Sequence, residues 1–123
     1  MTEAEISRDV RNCLDTWSIS GVVLWHMRIN SGSVRSIHSG RWLKLAEKGT
    51  PDHIAIVLSR YKKILVVFIE VKTDKGRLTN EQALFADKYN KYDDFYVLKI
   101  TDRKQLDVFL SEHGIDTLDE WKI

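Results

Sequence analysis

The chain has 123 residues, of which 43% are hydrophobic and 30% are charged, and its formal net charge is +1. This size predicts one globular domain with its own core and leaves no room for a second. No apolar run approaches the roughly 18 residues of a membrane helix, and the N-terminus is unlike a signal peptide, so we expect no membrane partner. The only cysteine is Cys13, which excludes an internal disulfide and a multi-cysteine zinc site. We therefore expect a cytoplasmic protein.

The first segment predicts an amphipathic helix. Thr2 is placed to cap it, and Glu5, three residues later, completes a capping box. Apolar residues follow at helical spacing and form one stripe: Ile6, Val10, Cys13, Leu14 and Trp17. The pattern stops at Ser20 and Gly21. We therefore expect this helix to come first and to bury the stripe.

A strand and a short hairpin are predicted next. The strand runs from Val22 to about Ile29, and residues 30–32, Asn-Ser-Gly, are typical of a tight turn. Short strands over Val34–Ile37 and Arg41–Leu45 form the hairpin. Most tryptophans are expected in the core, and Trp42 could instead stack on an unpaired base. The four tryptophans are Trp17, Trp25, Trp42 and Trp121.

Two apolar strands lie in the middle of the chain. Ile54–Leu58 is one, and the polar turn Ser59–Lys63 leads to the other, Ile64–Lys72. Because the second strand carries an unbroken apolar run, we expect a central strand that is covered on both faces. Pro51 keeps the preceding residue out of helical geometry, so the chain should enter Asp52 in an extended conformation.

Two more helices and a strand complete the prediction. Thr79 caps the second helix with Gln82 at the capping-box position, Phe95–Ile100 is a strand, and Asp102 caps a third helix that ends at Gly114. The second helix has an apolar side made of Ala83, Leu84, Phe85 and Ala86. This order predicts an α/β fold in which a central mixed sheet is flanked by helices and the N-terminal helix comes first.

Three charged residues stand at the ends of the two apolar strands. Glu70 and Lys72 share one face of their strand and lie about 6.6 Å apart along it. Strands joined by a short turn run antiparallel, so Asp52, at the start of one, should lie beside Glu70, at the end of the other. An isolated carboxylate there is costly to desolvate unless it is paired or binds a cation.

Two carboxylates on adjacent strands are hard oxygen ligands that suit Mg²⁺ or Mn²⁺. A metal there could activate a water for attack on a phosphodiester, and Lys72 could neutralise the developing charge. The alternative is a solvated ion pair between Glu70 and Lys72, which contributes little. Glu3 lies on the side of the apolar stripe and is preferred over Glu5 as a third carboxylate.

The charge distribution is uneven. Arg28–Lys48 and Arg60–Leu78 each carry a net charge of +4, whereas the tail from Asp102 to Ile123 is acidic. A basic middle and an acidic end favour a phosphate-binding face, although ordinary scatter of surface charge remains an alternative. On the first interpretation, the partner would carry phosphate groups, as a nucleic acid does.

Several segments together resemble a known nuclease family. These are Glu3–Ile6, the Arg-x-Asn-Ser-Gly segment 28–32, Gly49–Asp52, Phe68–Thr73 and Gly76–Gln82. The combination is similar to the PD-(D/E)xK nucleases, and specifically to their virus-type replication-repair nuclease (VRR-Nuc) family. The resemblance covers the chain to about Ile100. Family members of this compact, stand-alone kind come from phages and bacteria and are similar to Holliday-junction resolvases that act as homodimers.

The resemblance implies roles for particular residues. Asp52 and Glu70 would bind Mg²⁺ or Mn²⁺ together with the Val71 carbonyl and the helix carboxylate of Glu3, and Lys72 would be the catalytic lysine. Gln82 would reach the metal-site water or the phosphate, and it could cap its helix at the same time. The residues expected to contact DNA are Arg28, Ser31, Arg41, Lys44 and Arg77.

The resulting expectation is a metal-dependent DNA endonuclease, selective for branched DNA and acting as a homodimer. Two alternatives remain. One is a nuclease with another substrate choice, such as a nicking, flap or restriction-like enzyme, since the motif fixes the chemistry better than the substrate. The other is a non-catalytic DNA-binding module on the same fold.

Overall fold

The computed structural model describes residues 1–29, 33–35, 37–44 and 47–115, and within 33–35 and 42–44 it describes the backbone alone. The described residues form α1 (Glu3–Ile19), β1 (Val23–Arg28), β2 (Ser33–Arg35), β3 (Trp42–Lys44), β4 (His53–Leu58), β5 (Ile64–Val71), α2 (Asn80–Tyr89), β6 (Phe95–Ile100) and α3 (Arg103–His113). None of the described helices combines the length and apolar character that a bilayer crossing requires.

Four strands form a mixed sheet in the order β1-β4-β5-β6, and β2 pairs with β3 in a separate hairpin. β1, β4 and β5 pair antiparallel, and β5 pairs with β6 in parallel. The tight turn between β4 and β5 contains Lys62 at a φ of 61°, and its chain reversal forces the antiparallel pairing. The parallel step requires a crossover, which α2 supplies. The fold is therefore α/β, with the N-terminal helix first, as predicted.

The core lies between the sheet and the helices α1 and α3. One face of β5 is fully apolar and buried there, and the helices contribute the stripes predicted from the sequence. On the opposite face of β5, Val66 and Phe68 are half-buried and Glu70 is buried. This face packs on α2, where the Phe68 ring lies 5.0 Å from the Phe85 ring and 5.8 Å from the Tyr89 ring. The central strand is thus covered on both faces, but unequally.

The predicted helix caps are confirmed. Thr2 with Glu5 and Thr79 with Gln82 both form complete capping boxes. Asp102 is the N-cap of α3, and its side chain accepts a hydrogen bond from the Lys104 N–H. All three caps depend on hydrogen bonds between residues that are close together in the sequence, and for this reason the first residue of each helix could be predicted.

Three predictions about exposure and boundaries are wrong. Trp25 is 50% exposed rather than part of the core, because it lies on the edge strand β1, while α2 packs on β6 at the opposite edge of the sheet. Leu84 is 68% exposed, because α2 presents Phe85 and Tyr89 to the sheet instead. Ile37 lies in a turn rather than a strand. Of the other tryptophans, Trp121 lies outside the described residues, and of Trp42 the backbone alone is described.

Candidate functional site

The start of β4 and the end of β5 meet at one end of the sheet. His53 pairs with Ile69, so Asp52, one residue earlier, lies beside the last residues of β5. The Val71 N–H donates a hydrogen bond of 2.8 Å to Asp52 Oδ2, and the Ile29 N–H donates one of 2.6 Å to the Asp52 carbonyl. The antiparallel pairing predicted from the sequence is confirmed, and it fixes Asp52 through both its backbone and its side chain.

The loop that leads into Asp52 is anchored on α2. Gly49 has a φ of +92°, and a Cβ built there would lie 2.6 Å from the backbone carbonyl carbon and oxygen of Glu81. Lys48 Nζ lies 3.3 Å from Glu81 Oε1, and Pro51 is buried. A glycine is therefore required where this loop crosses the first turn of α2, and the loop holds Asp52 and α2 together.

Glu70 is a buried carboxyl group. Its side chain is 6% exposed, and Oε2 has no hydrogen-bond partner among the described residues. Burial is the main reason why its pKa rises from 4.5 to about 7; the nearby Asp52 and Glu3 raise it further, and Lys72 opposes them. A buried carboxylate with one unpartnered oxygen is stabilised by a proton or a cation.

Gln82 connects α2 to this carboxyl group. Its Oε1 accepts a hydrogen bond of 2.8 Å from the Thr79 N–H, which completes the capping box, and its Nε2 donates one of 2.7 Å to Glu70 Oε1. The predicted capping box is therefore confirmed, and the same amide also contacts Glu70; its contact with a metal-site water or a phosphate stays a prediction. Because one amide makes the cap and the contact with Glu70, the start of α2 and the position of Glu70 depend on each other.

Lys72 follows β5 on the side of Glu70. Its Nζ lies 3.8 Å from Glu70 Oε1, and its side chain is 13% exposed. A Cβ at Gly76 would lie 3.1 Å from Lys72 Cβ and 3.3 Å from its Cδ, so the turn packs directly on the lysine stem. The ammonium group is thus held close to Glu70 in a restricted geometry.

A cavity of about 190 Å³ opens beside Asp52, where α1 meets the end of the sheet. Its lining residues are Glu3, Ala4, Ser7, Arg28, Asp52 and Val71. Glu3 belongs to the first turn of α1, whereas Glu5 is engaged in the capping box. The structure therefore brings Glu3, and not Glu5, to this cavity.

The residues predicted to contact DNA are spread more widely. Arg28 lines the cavity at the end of β1. Arg41 and Arg77 are exposed on other loops, and neither lines the cavity. Ser31 lies outside the described residues, and of Lys44 the backbone alone is described. Among the predicted DNA-contacting side chains that the structure describes, Arg28 is the one brought to the carboxylates.

Sequence reasoning missed Lys99 as a neighbour of the site. It lies on β6 in register with Glu70 and, with Glu70 and Gln82, lines a second cavity of about 190 Å³ under α2. The signal that could have found it is the parallel register of β5 and β6, which the sequence does not specify.

A second missed feature lies below the first cavity. His53 is fully buried, and its Nε2 lies 2.8 Å from Ser7 Oγ. Burial, followed by the nearby Arg28, Arg11 and His26, lowers the pKa of His53 from 6.5 to about 4, so its ring is neutral at pH 7. His53 shares the buried face of the sheet with its partner Ile69 and faces away from Asp52.

The donors at the sheet end fit only part of a metal site. Within the part of the chain that the structure describes, no group of three or more His, Cys, Asp and Glu side chains is gathered closely enough to hold a metal ion. Asp52 and the unpartnered Glu70 Oε2 are nevertheless hard oxygen donors. They fit an Mg²⁺ ion that keeps several waters and takes its other ligands from a substrate phosphate. No family model, curated protein or solved structure matches the chain.

Proposed function

We propose that this chain is a divalent-metal-dependent DNA endonuclease of the PD-(D/E)xK type, similar to the VRR-Nuc family. The observation that carries the proposal is the buried carboxyl group of Glu70, which has one unpartnered oxygen and interacts electrostatically with Asp52 and Lys72. A buried Glu70 carboxyl group with a raised pKa beside a second carboxylate, Asp52, is unfavourable for stability alone. A cation bound by the two carboxylates would offset the cost of burying them.

The metal ligands in this proposal are Asp52 and Glu70, with the Val71 carbonyl as a further donor, and Glu3, which lines the cavity beside Asp52, would bind the ion through one of its waters. Mg²⁺ or Mn²⁺ bound there would supply Lewis-acid stabilisation of the phosphate during hydrolysis. Asp52 is oriented for this by the Val71 N–H. Gln82 occupies Glu70 Oε1, which leaves Oε2 as the available donor.

Lys72 neutralises negative charge that develops on the phosphate. Its ammonium group is close to Glu70 and mostly shielded from solvent, so its field is less screened than that of a surface lysine. Packing of Gly76 against the stem limits the volume that the ammonium group can sample. A fixed positive charge of this kind requires little reorganisation during the reaction.

The proposed substrate is branched DNA, and the proposed assembly is a homodimer. A junction has two symmetric strands to cut, so a two-fold dimer would supply one site for each strand. Arg28 supplies positive charge beside the carboxylates, and Arg41 and Arg77 are exposed for contacts farther along the DNA backbone. Ser31 and Lys44 complete the proposed DNA-contacting set.

The test is cleavage of a labelled four-way junction, a flap and a linear duplex, each with Mg²⁺, Mn²⁺ or EDTA. Lys72→Ala should abolish metal-dependent cutting, and Lys91→Ala, which removes an exposed lysine, should not. Symmetric junction cuts support the resolvase-like activity, and cutting that ignores the branch supports another nuclease.

A second variant separates the enzyme from a binding module. Asp52→Asn keeps an acceptor for the Val71 N–H but removes the charge. In a nuclease it abolishes cleavage and spares DNA binding. If folded wild-type protein binds DNA but cuts none of the three substrates with either metal, the nuclease proposal is rejected in favour of the non-catalytic module.

A further inference from the structure

The hydrogen bond between Ser7 and His53 leaves the direction of donation to be assigned. In an imidazole with one proton, one ring nitrogen donates a hydrogen bond and the other accepts. Nδ1 is buried and has no partner among the described residues. Since buried N–H groups without a partner are rarer than buried acceptors without one, we assign the proton to Nε2. His53 Nε2–H then donates to Ser7 Oγ at 2.8 Å.

This assignment frees the hydroxyl proton of Ser7. Its oxygen accepts from His53, so the O–H group must donate elsewhere. Other hydroxyls of α1 donate to backbone carbonyls one turn earlier, as Thr16 does to Asn12 and Ser18 does to Leu14. For Ser7 no such bond is present among the described residues, where His53 is its hydrogen-bond partner.

Ser7 lines the cavity beside Asp52 together with Arg28. It is 8% exposed, so this buried serine borders the space that a ligand would fill. The cavity therefore has a neutral donor and a guanidinium group, both able to bind an anionic oxygen. The other charged residues of the cavity are Glu3 and Asp52. In the proposed function they hold the cation, and the cation binds the same phosphate.

We propose that this cavity binds a phosphate group of the DNA backbone, with Ser7 as a hydrogen-bond donor to it and His53 as the positioning residue that orients Ser7. The inference rests on the proposed function, because it identifies how the site would hold the phosphate. Arg28 contributes charge, whereas Ser7 contributes a directed hydrogen bond. The two contributions have different salt dependence, which makes them separable.

The experiment measures DNA binding by fluorescence anisotropy with Mg²⁺ over a range of salt concentrations. All variants carry Lys72→Ala, so that cleavage does not interfere. Ser7→Ala should weaken binding about tenfold, because it removes one hydrogen bond to a charged group. The slope of log K against log salt should not change. Arg28→Gln should weaken binding and reduce that slope by about one.

Two controls separate a binding role from a structural one. Ser18→Ala removes a hydroxyl from the same helix, where its hydrogen bond goes to a backbone carbonyl, and it should leave DNA binding unchanged. At position 53, His53→Gln can still place an N–H near Ser7 and should restore much of the affinity that His53→Leu loses. Thermal unfolding of each variant shows that the comparison is made on folded protein.

The outcomes distinguish this inference from the proposed function. If Ser7→Ala binds DNA as its parent does, or if Ser18→Ala loses as much affinity, the phosphate site is wrong, whether or not the wild type cuts DNA. If wild-type protein binds DNA with the predicted Ser7 and Arg28 effects but cuts nothing, the nuclease is wrong and the phosphate site holds. If neither the wild type nor the Lys72→Ala parent binds DNA, both are rejected.

Discussion

Glu70→Gln should stabilise the metal-free protein at neutral and alkaline pH while it removes nuclease activity. The folded-state pKa of Glu70 is raised, chiefly by burial, from 4.5 to about 7. The folded protein therefore binds this proton more tightly than the unfolded chain does, and the wild type loses stability as pH rises from about 4.5 through about 7. Above pH 7 Glu70 is ionised in the folded protein as well, and the loss of folding stability reaches its full value.

The magnitude follows from the size of the pKa change. A shift from 4.5 to about 7 corresponds to about 3 kcal/mol at pH 8. For a domain of this size, that difference corresponds to roughly 10 °C in Tm. Glutamine cannot ionise in this range, and its amide oxygen still accepts the hydrogen bond from Gln82. The two proteins should have similar stability near pH 4.5 and should diverge up to pH 8.

The assay is thermal unfolding between pH 4.5 and pH 8, in EDTA and with Mg²⁺. Glu112→Gln removes an exposed glutamate of α3 and is the matched control. Mg²⁺ at 100 times its Kd should stabilise the wild type by about 2.7 kcal/mol, and it should not stabilise Glu70→Gln. A lower Tm for Glu70→Gln than for wild type at pH 8 in EDTA would refute the reasoning, as would equal stabilisation of both by Mg²⁺.

Three further predictions concern stability. Gly49→Ala should cost about 1–3 kcal/mol in urea unfolding, because its φ is positive and a Cβ would meet the Glu81 backbone; an unchanged midpoint contradicts this. Asp107→Ala should cost about 1–2 kcal/mol and alter tryptophan fluorescence, because Asp107 Oδ1 accepts a hydrogen bond of 2.9 Å from Trp17; unaltered stability and fluorescence contradict this. Leu84→Ala should change stability by less than about 0.5 kcal/mol, because Leu84 is exposed; a larger loss would restore it to the core.

Sequence patterns within a few residues were enough to predict the helices and strands. They were not enough to predict which faces of those helices and strands are buried. The caps at Thr2, Thr79 and Asp102 follow from side chains that bond within a few residues of themselves. Exposure of Trp25 depends on which strand forms the sheet edge, and exposure of Leu84 depends on the rotation of α2 about its axis. Neither property is encoded by nearby residues, so both predictions failed.

The same distinction between local pairing and long-range packing applies to the residues of the candidate site. The approach of Asp52 to Glu70 could be predicted because it needs only a short turn and antiparallel pairing. Lys99 could not, because its register with Glu70 is set by a crossover through α2. Ser7 and His53 are 46 residues apart in the sequence and meet through helix packing on the sheet. A pattern search has no signal for such a pair.

The buried polar atoms mark the same end of the sheet independently of any motif. Among the described residues, two buried side-chain atoms have no hydrogen-bond partner, His53 Nδ1 and Glu70 Oε2. They lie on adjacent strands within one residue of the paired positions His53 and Ile69, and they flank the hydrogen bond between Asp52 and Val71. Each unpartnered atom costs stability, and native proteins carry few of them. The two atoms lie on opposite faces of the sheet, because His53 pairs with Ile69 and Glu70 is the next residue. Where a fold places such costs at one sheet end, local consistency has given way to function, so a ligand that binds the Glu70 oxygen should raise the stability of the whole domain.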